Sequence, residues 1–261
     1  MSQIMGQPVT EVVDDDIAAP LLGIDQLGKR FGGFVALDTV DLSVPTGQRL
    51  GLIGPNGSGK STLVNCISGT LQNETGSVRF NGQRVDGMPP HQRARLGLAR
   101  SFQLPRPFRS MTVAENIRVP LLYTVGARHG VHLTQSELED RCLEVLSLVA
   151  LQDKARKSPL DLTQVEMRKL ELARAMAAEP KLLIADESMA GLSHSEVEDI
   201  VALLIRLNQR GITIIMIEHI MRAVMAFSQR LVVLVSGRKV ADGAPEDVIK
   251  DKDVVGAYLG T

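Results

Sequence analysis

The chain is poor in the residues that staple small or metal-bound folds: its 261 residues include only two cysteines, Cys66 and Cys142. That is too few for a disulfide framework. Cys66 falls within the apolar pattern of a helix, so both read as buried thiols in a reducing, cytosolic setting. Charge of one sign is also missing, because 29 Lys and Arg nearly balance 30 Asp and Glu for a net charge of −1. This balance gives no electrostatic case for nucleic acid or an anionic membrane surface as the main partner. No apolar run is long enough to cross a bilayer. The longest, Ile214-Ile215-Met216-Ile217 and Leu231-Val232-Val233-Leu234-Val235, have strand length, so any membrane role is expected to come through a partner. The N-terminus lacks a basic segment followed by an apolar core, so no signal peptide is expected. No internal repeat or low-complexity segment is present. What remains is ordinary globular composition, 44% apolar and 23% charged, at a length suited to one domain with a subdomain.

Directly after the apolar run Leu50-Gly51-Leu52-Ile53 the chain reads Gly54-Pro55-Asn56-Gly57-Ser58-Gly59-Lys60-Ser61-Thr62. A helix-forming segment, Leu63-Val64-Asn65-Cys66-Ile67, follows. Strand, glycine-rich turn and helix in that order make a phosphate-binding loop. The glycines let backbone N–H groups converge on phosphate oxygens, and Lys60 places a cation on the terminal phosphates. Ser61 supplies a hydroxyl for Mg²⁺, and the helix points its positive end at the same anion. The chain is expected to bind a nucleoside triphosphate.

Around this loop the pattern is that of an α/β protein. Residues Met1 to about Pro20 read as a loosely ordered leader with the acidic cluster Asp14-Asp15-Asp16. From Leu21 to Val44 short apolar stretches alternate with turn residues, which predicts antiparallel hairpin strands. Ser77–Phe80 and Leu98–Phe102 read as further strands. From about Met111 to Leu160 the pattern becomes helical: Thr112 caps one helix with Glu115 three residues on, and Ser136–Ala150 has amphipathic spacing. Alternation then returns, with a helix from about Val165 to Ala178, a strand Lys181–Ala185, a helix Ser193–Arg210 and a strand Ile212–Ile217. Ser193 with Glu196 makes a capping box, and Gly211 stops that helix.

Three strand ends carry candidate chemistry. Leu182-Leu183-Ile184-Ala185 runs into Asp186 and Glu187. Asp186 is expected beside the phosphate loop, holding Mg²⁺ through its water shell, and Glu187 one position on, where it polarises an attacking water. Gln103, after Leu98–Phe102, can contact both metal and water, or be a polar loop residue. His219, after Ile212–Ile217, can reach the γ-phosphate, or be a satisfied polar residue at a strand end.

Taken together these residues resemble the ATP-binding subunit of an ABC transporter over nearly the whole chain after Leu21. Gly54–Thr62 looks like Walker A, Leu182–Glu187 like Walker B with its catalytic glutamate, and Gln103 like the Q-loop. Ala190-Gly191-Leu192-Ser193 is similar to the D-loop and His219 to the switch histidine. Phe31 matches the aromatic that stacks on adenine, with a core phenylalanine as the alternative. The resemblance implies a P-loop NTPase core of the ABC ATPase type over residues 21–261, with an antiparallel β subdomain and a helical subdomain inserted at about 111–178. It also implies ATP and Mg²⁺, with Mg²⁺ on Ser61, Gln103 and Asp186, and Glu187, His219 and Lys60 acting in hydrolysis. Arg30-Phe31-Gly32-Gly33, Ala99-Arg100-Ser101-Phe102-Gln103, Met111–Asn116, Arg168–Ala175 and Ala257-Tyr258-Leu259-Gly260 resemble the branched-chain amino acid transporter subfamily in particular.

The chain departs from the family in one place that matters. Where the family signature reads Leu-Ser-Gly-Gly-Gln, this chain has Leu162-Thr163-Gln164-Val165-Glu166. Val165 replaces a glycine that permits close backbone approach to the partner's γ-phosphate, and its β-branched side chain is expected to obstruct that approach and resist unusual dihedrals. Glu166 adds negative charge near a polyphosphate. Ser188, where the family usually has proline, is expected to loosen the strand end slightly. The resemblance therefore implies a heterodimer with a second, non-identical ABC ATPase, two transmembrane permeases and a periplasmic or extracellular solute-binding protein, and no nucleic acid. Such a subunit sits peripherally on the cytoplasmic face of the bacterial inner membrane. The alternatives are a lipopolysaccharide-type exporter ATPase and a nucleotide-gated subunit with little hydrolysis. The segment Pro105-Arg106-Pro107-Phe108-Arg109, with the helical insertion and the Gln103 loop, is expected to form a groove for a permease helix, or to be an ordinary surface loop.

Overall fold

The computed structural model describes residues 19–101, 105–130 and 133–259. Residues 1–18 of the expected leader, and Phe102, Gln103 and Gly260, lie outside the described residues. The strands are β1 (Leu22–Phe31), β2 (Phe34–Val44), β3 (Arg49–Ile53), β4 (Thr75–Phe80), β5 (Gln83–Arg84), β6 (Leu98–Ser101), β7 (Leu182–Asp186), β8 (Thr213–Ile217), β9 (Arg230–Val235) and β10 (Arg238–Gly243). The helices are α1 (Lys60–Ser68), α2 (Pro90–Leu96), α3 (Val113–Pro120), α4 (Ala127–His129), α5 (Gln135–Leu148), α6 (Gln164–Met176), α7 (His194–Gln209), α8 (Met221–Phe227), α9 (Pro245–Val248) and α10 (Lys252–Leu259).

Two sheets result. A four-stranded antiparallel sheet has the order β2-β1-β4-β5, with β1 and β2 joined through the Gly32-Gly33 turn. A six-stranded sheet has the order β10-β9-β3-β8-β7-β6; it is parallel except for β10. Every residue of β7 and β8 is buried, as expected for parallel strands covered on both faces. Alternation divides their side chains between two cores. Leu183, Ala185, Ile214 and Met216 pack with the helices of the insertion and α7. Leu182, Ile184, Ile215 and Ile217 pack with α1 and the antiparallel sheet.

Helices α3 to α6 all lie between β6 and β7 in the chain. The Thr112–Glu115 and Ser193–Glu196 boxes form, and α5 starts one residue earlier than its amphipathic pattern suggests because Thr134 and Glu137 make a further box. Pro120 ends α3, and a π-helical turn, Leu121–Gly126, follows it. A proline without an N–H interrupts the helical ladder, so widening of the next turn has a local cause. Cys66 and Cys142 are free and buried, and burial pushes both thiols up to about 11.

Candidate functional site

Strand register assembles the site. Leu52 of β3 pairs with Ile217 of β8, and Ile217 pairs with Asp186 of β7. The three strands run parallel and end in one row, so the phosphate loop, Glu187 and His219 leave from the same sheet edge. The crevice at the carboxyl ends of parallel strands is where such sheets take ligands. β8 lies between β3 and β7, so His219 emerges between the loop and the two acids.

The phosphate loop is held closely by its surroundings. Gly59 caps α1 with φ +102°, and a Cβ on it would lie 2.6 Å from the Ala36 carbonyl oxygen of β2. A Cβ on Gly54 would lie 2.2 Å from the Leu234 carbonyl oxygen. Only glycine fits either position. Helices α3, α5, α6 and α7 each begin with a hydroxyl–glutamate capping box, whereas α1 has no side-chain cap and no acid in its first turn. Its first amides are therefore left for an anion to satisfy. The Lys60 ammonium donates to the carbonyl oxygens of Gly54 at 2.6 Å and Pro55 at 3.0 Å. Burial lowers its pKa, while the Glu187 and Asp186 carboxylates pull it back up, so both acids act on this lysine. Ser58 is buried, and Asn56, Gly57 and Ser61 are exposed at the mouth of the loop, with Thr62 half-buried.

Asp186 is clamped from the neighbouring strand. Arg100 of β6 donates to its Oδ2 at 2.6 Å and to Asn65 Oδ1 of α1 at 2.7 Å, joining the acid to the loop helix through a charge-assisted bond. Glu187 sits in the left-handed region at φ +45°, a conformation that costs a non-glycine residue about 1–2 kcal/mol. Its N–H donates to Ile217 O at 2.9 Å, tying the end of β7 to β8. Ser188 is buried in the chain that this bond secures. The His219 side chain is 68% exposed, and its Nδ1 lies 3.9 Å from Glu218 Oε2. Arg100 is read in the sequence only as part of a subfamily motif, with no role, and Glu218 escapes motif reading. Strand alternation carries a signal for Glu218, which falls on the same inward face as Ile214 and Met216.

In the signature segment Val165 is the second residue of α6 and takes ordinary helical geometry; its side chain is half-buried against the helical core. Glu166 is not a bare negative charge. Thr163 is the N-cap of α6 and accepts from Glu166 N–H, while Thr163 N–H donates to Glu166 Oε2 at 2.9 Å. The Lys154 ammonium bonds to Glu166 Oε1. Lys154 and the Thr163 amide hold the Glu166 carboxyl below its ordinary value of 4.5. The threonine–glutamate spacing, Thr163 to Glu166, was the available sequence signal for this box. A depressed carboxyl contributes stability above its unfolded value that is lost as pH falls through the folded one. Lys154→Met is therefore expected to lower the melting temperature at pH 7 by roughly 1–3 °C, with the difference from wild type narrowing as pH falls below the ordinary carboxyl value in a thermal-shift titration. Residues 190–193, expected as the D-loop, pack on this helix or follow it. A Cβ on Gly191 would lie 2.8 Å from Gln164 Nε2, Arg168 donates to Ala190 O at 3.3 Å, Leu192 joins the helical core, and Ser193 caps α7.

Phe31 is not a core residue. It is 50% exposed at the tip of the β1–β2 hairpin, with the Lys29 ammonium 5.5 Å from its ring centre. Gln103 lies outside the described residues; farther on, the loop is held at Phe108. Phe108 N–H donates to Asn116 Oδ1 at 2.8 Å, Asn116 donates back to Phe108 O at 3.1 Å, and the Arg174 guanidinium stacks 5.1 Å from the Phe108 ring. Arg174, with Leu98, Pro120 and Tyr123, lines a cleft of about 340 Å³ between the helical insertion and the sheet. Among the described residues no helix is long and apolar enough to cross a membrane.

The sequence profile of the ABC transporter family matches residues 37–190. The chain is 37% identical over 257 residues to the high-affinity branched-chain amino acid transport ATP-binding protein LivG of Escherichia coli, covering 94% of this chain and 99% of that protein. It is 36% identical over 253 residues to the corresponding protein BraF of Pseudomonas aeruginosa, with the same coverage of 94% and 99%. The crystal structure of the ADP conformation of an ATP-binding cassette of an ABC transporter superimposes with a TM-score of 0.83 at 30% identity, covering 94% of this chain and 100% of that one.

Proposed function

Because this chain belongs to the ABC transporter family and is one of its ATPases, we propose that it powers an importer for branched-chain amino acids or related small polar solutes, beside a second, non-identical ATPase subunit. The relatives named for branched-chain amino acid transport, matched along almost their whole length, support this solute class over a lipopolysaccharide-type exporter.

The residues divide the work as follows. The loop amides from Asn56 to Thr62 and the Lys60 ammonium bind the triphosphate and neutralise charge as the γ-phosphoryl group departs. Phe31 offers an exposed ring to adenine. Ser61, Asp186 and Gln103 are hard oxygen donors of the kind Mg²⁺ takes, and the bound ion would polarise the phosphate oxygens. Glu187 is the general base that orients and deprotonates water, and His219 positions water and γ-phosphate. Binding of ATP draws two ATPase subunits together, and that closure reshapes the permeases through a short cytoplasmic helix seated in the cleft beside Arg174 and Tyr123.

One observation carries the heterodimer. Among the described residues the nucleotide face carries Lys60, Ser61, Asp186, Glu187 and His219, while the N-terminus of α6 bears Val165 in place of glycine and has its Thr163 and Glu166 amides bonded within its own capping box. A homodimer would repeat that modified end in both composite sites. With a different partner, the ATP held by this chain meets the partner's signature and one site hydrolyses. Phosphate release is expected to be near background for the purified chain and to rise at least about tenfold when the permeases and the second ATPase are present. Cooperative, transporter-like rates from the chain alone would remove the case for a partner.

A further inference from the structure

Glu187 holds a left-handed backbone, φ +45°, at the end of β7. Such a conformation persists in a non-glycine residue only where the surroundings over-determine it. Two hydrogen bonds from the end of β8 do this. Ile217 O accepts from Glu187 N–H at 2.9 Å, and Glu218 Oε1 accepts from Met189 N–H, also at 2.9 Å. The chain that carries Glu187 is thus fastened on both sides of Ser188 to the strand that carries His219.

The Glu218 side chain is fully buried, at 0% exposure. Burying a carboxyl is costly, and burial pushes this one above its ordinary value while the Met189 amide pulls it back. A neutral acceptor would satisfy one amide at lower cost. The second oxygen, Oε2, lies 3.9 Å from His219 Nδ1, and the His219 backbone amide also pulls the carboxyl down. One buried carboxyl therefore faces the 187–189 segment with one oxygen and His219 with the other.

We propose that Glu218 is a positioning residue for hydrolysis: Oε1 locks the 187–189 segment so that the Glu187 carboxylate leaves β7 at its working angle, and Oε2 orients the His219 ring. This rests on the reading of Glu187 as the general base. In this role Glu218 acts through its two neighbours, the Met189 amide and His219.

The test uses Glu218→Ala and Glu218→Gln in the full chain, with turnover read in the assembled transporter and hydrogen exchange at the Met189 amide read in the chain. Glu218→Ala is expected to lower kcat about 10- to 50-fold with KM for ATP within about twofold, and to speed Met189 exchange at least tenfold. Glu218→Gln, which keeps an oxygen for Met189, should restore the exchange protection and bring kcat to within about fivefold of wild type. Unchanged kcat in Glu218→Ala, unchanged Met189 exchange, or a kcat loss no larger than the loss of folded protein would each overturn the proposal. If the alanine variant does not fold, Glu218→Asp shortens the reach by one methylene and must loosen Met189 and lower kcat; wild-type values would overturn the proposal equally. Glu187→Gln measured in parallel separates the two ideas, because full turnover in that variant defeats the general-base reading while Met189 exchange still reports the Glu218 contact.

Discussion

Glu187→Gln is expected to reduce ATP turnover by the assembled transporter about 10²- to 10³-fold while leaving ATP affinity within a few-fold of wild type. Glutamine keeps the length and shape of the side chain, so the left-handed backbone and its bond to Ile217 O remain. What it lacks is a carboxylate able to take a proton from water, and a loss of that size corresponds to about 3–4 kcal/mol of transition-state stabilisation. Lys60 also loses one of the two acids that raise its pKa, but Asp186 remains beside it and the loop amides are untouched. Phosphate release in the reconstituted complex, set against binding of a fluorescent ATP analogue to the purified chain, separates chemistry from affinity. Turnover that survives the substitution would mean that the partner hydrolyses and that this subunit is a nucleotide-binding gate.

The second large effect is expected at Gly59. Alanine there must adopt φ +102° and place its Cβ 2.6 Å from the Ala36 carbonyl oxygen and 3.0 Å from Leu37 Cδ2. The carbonyl belongs to β2 backbone, which is itself held by the Asp38 N–H bond to Gly237 O, and Gly237 N–H in turn donates to Ser58 O. The neighbour therefore has little room to move aside. Strain and overpacking together are expected to cost about 2–5 kcal/mol, a fall of roughly 5–15 °C in melting temperature. Because the same residue is the N-cap of α1, the loop amides lose their convergence, and ATP affinity should fall at least about 100-fold. Gly57 is the internal comparison. Its φ is +79°, but a Cβ there meets nothing within 4 Å, so Gly57→Ala should carry strain alone. Equal melting temperatures for the two variants would contradict the packing account.

The local parts of this protein were legible because their causes are local. Thr112 with Glu115 and Ser193 with Glu196 cap helices three residues apart, and glycine spacing before Lys60 specifies a turn and an anion cradle within nine residues of chain. Apolar runs of strand length announced β7, β8 and β9. The same local logic was available for Thr163 and Glu166. Reading them only as departures from a signature hid the capping box they form.

Other features have long-range causes. That His219 emerges between the phosphate loop and Glu187 follows from β8 pairing on both sides, with β3 and with β7. Strands so distant in sequence choose neighbours through the burial of both sheet faces, which no short window contains. Lys154 neutralises Glu166, Arg100 clamps Asp186, and Asn116 pins Phe108, each across a separation that residue type alone leaves unspecified. The residue order alone specifies the chemical groups, namely a phosphate cradle, a carboxylate pair at one strand end and a histidine at another. Which groups face one another is set by packing, because charge pairing and burial depend on distances that close when the two sheets and the helical insertion come together.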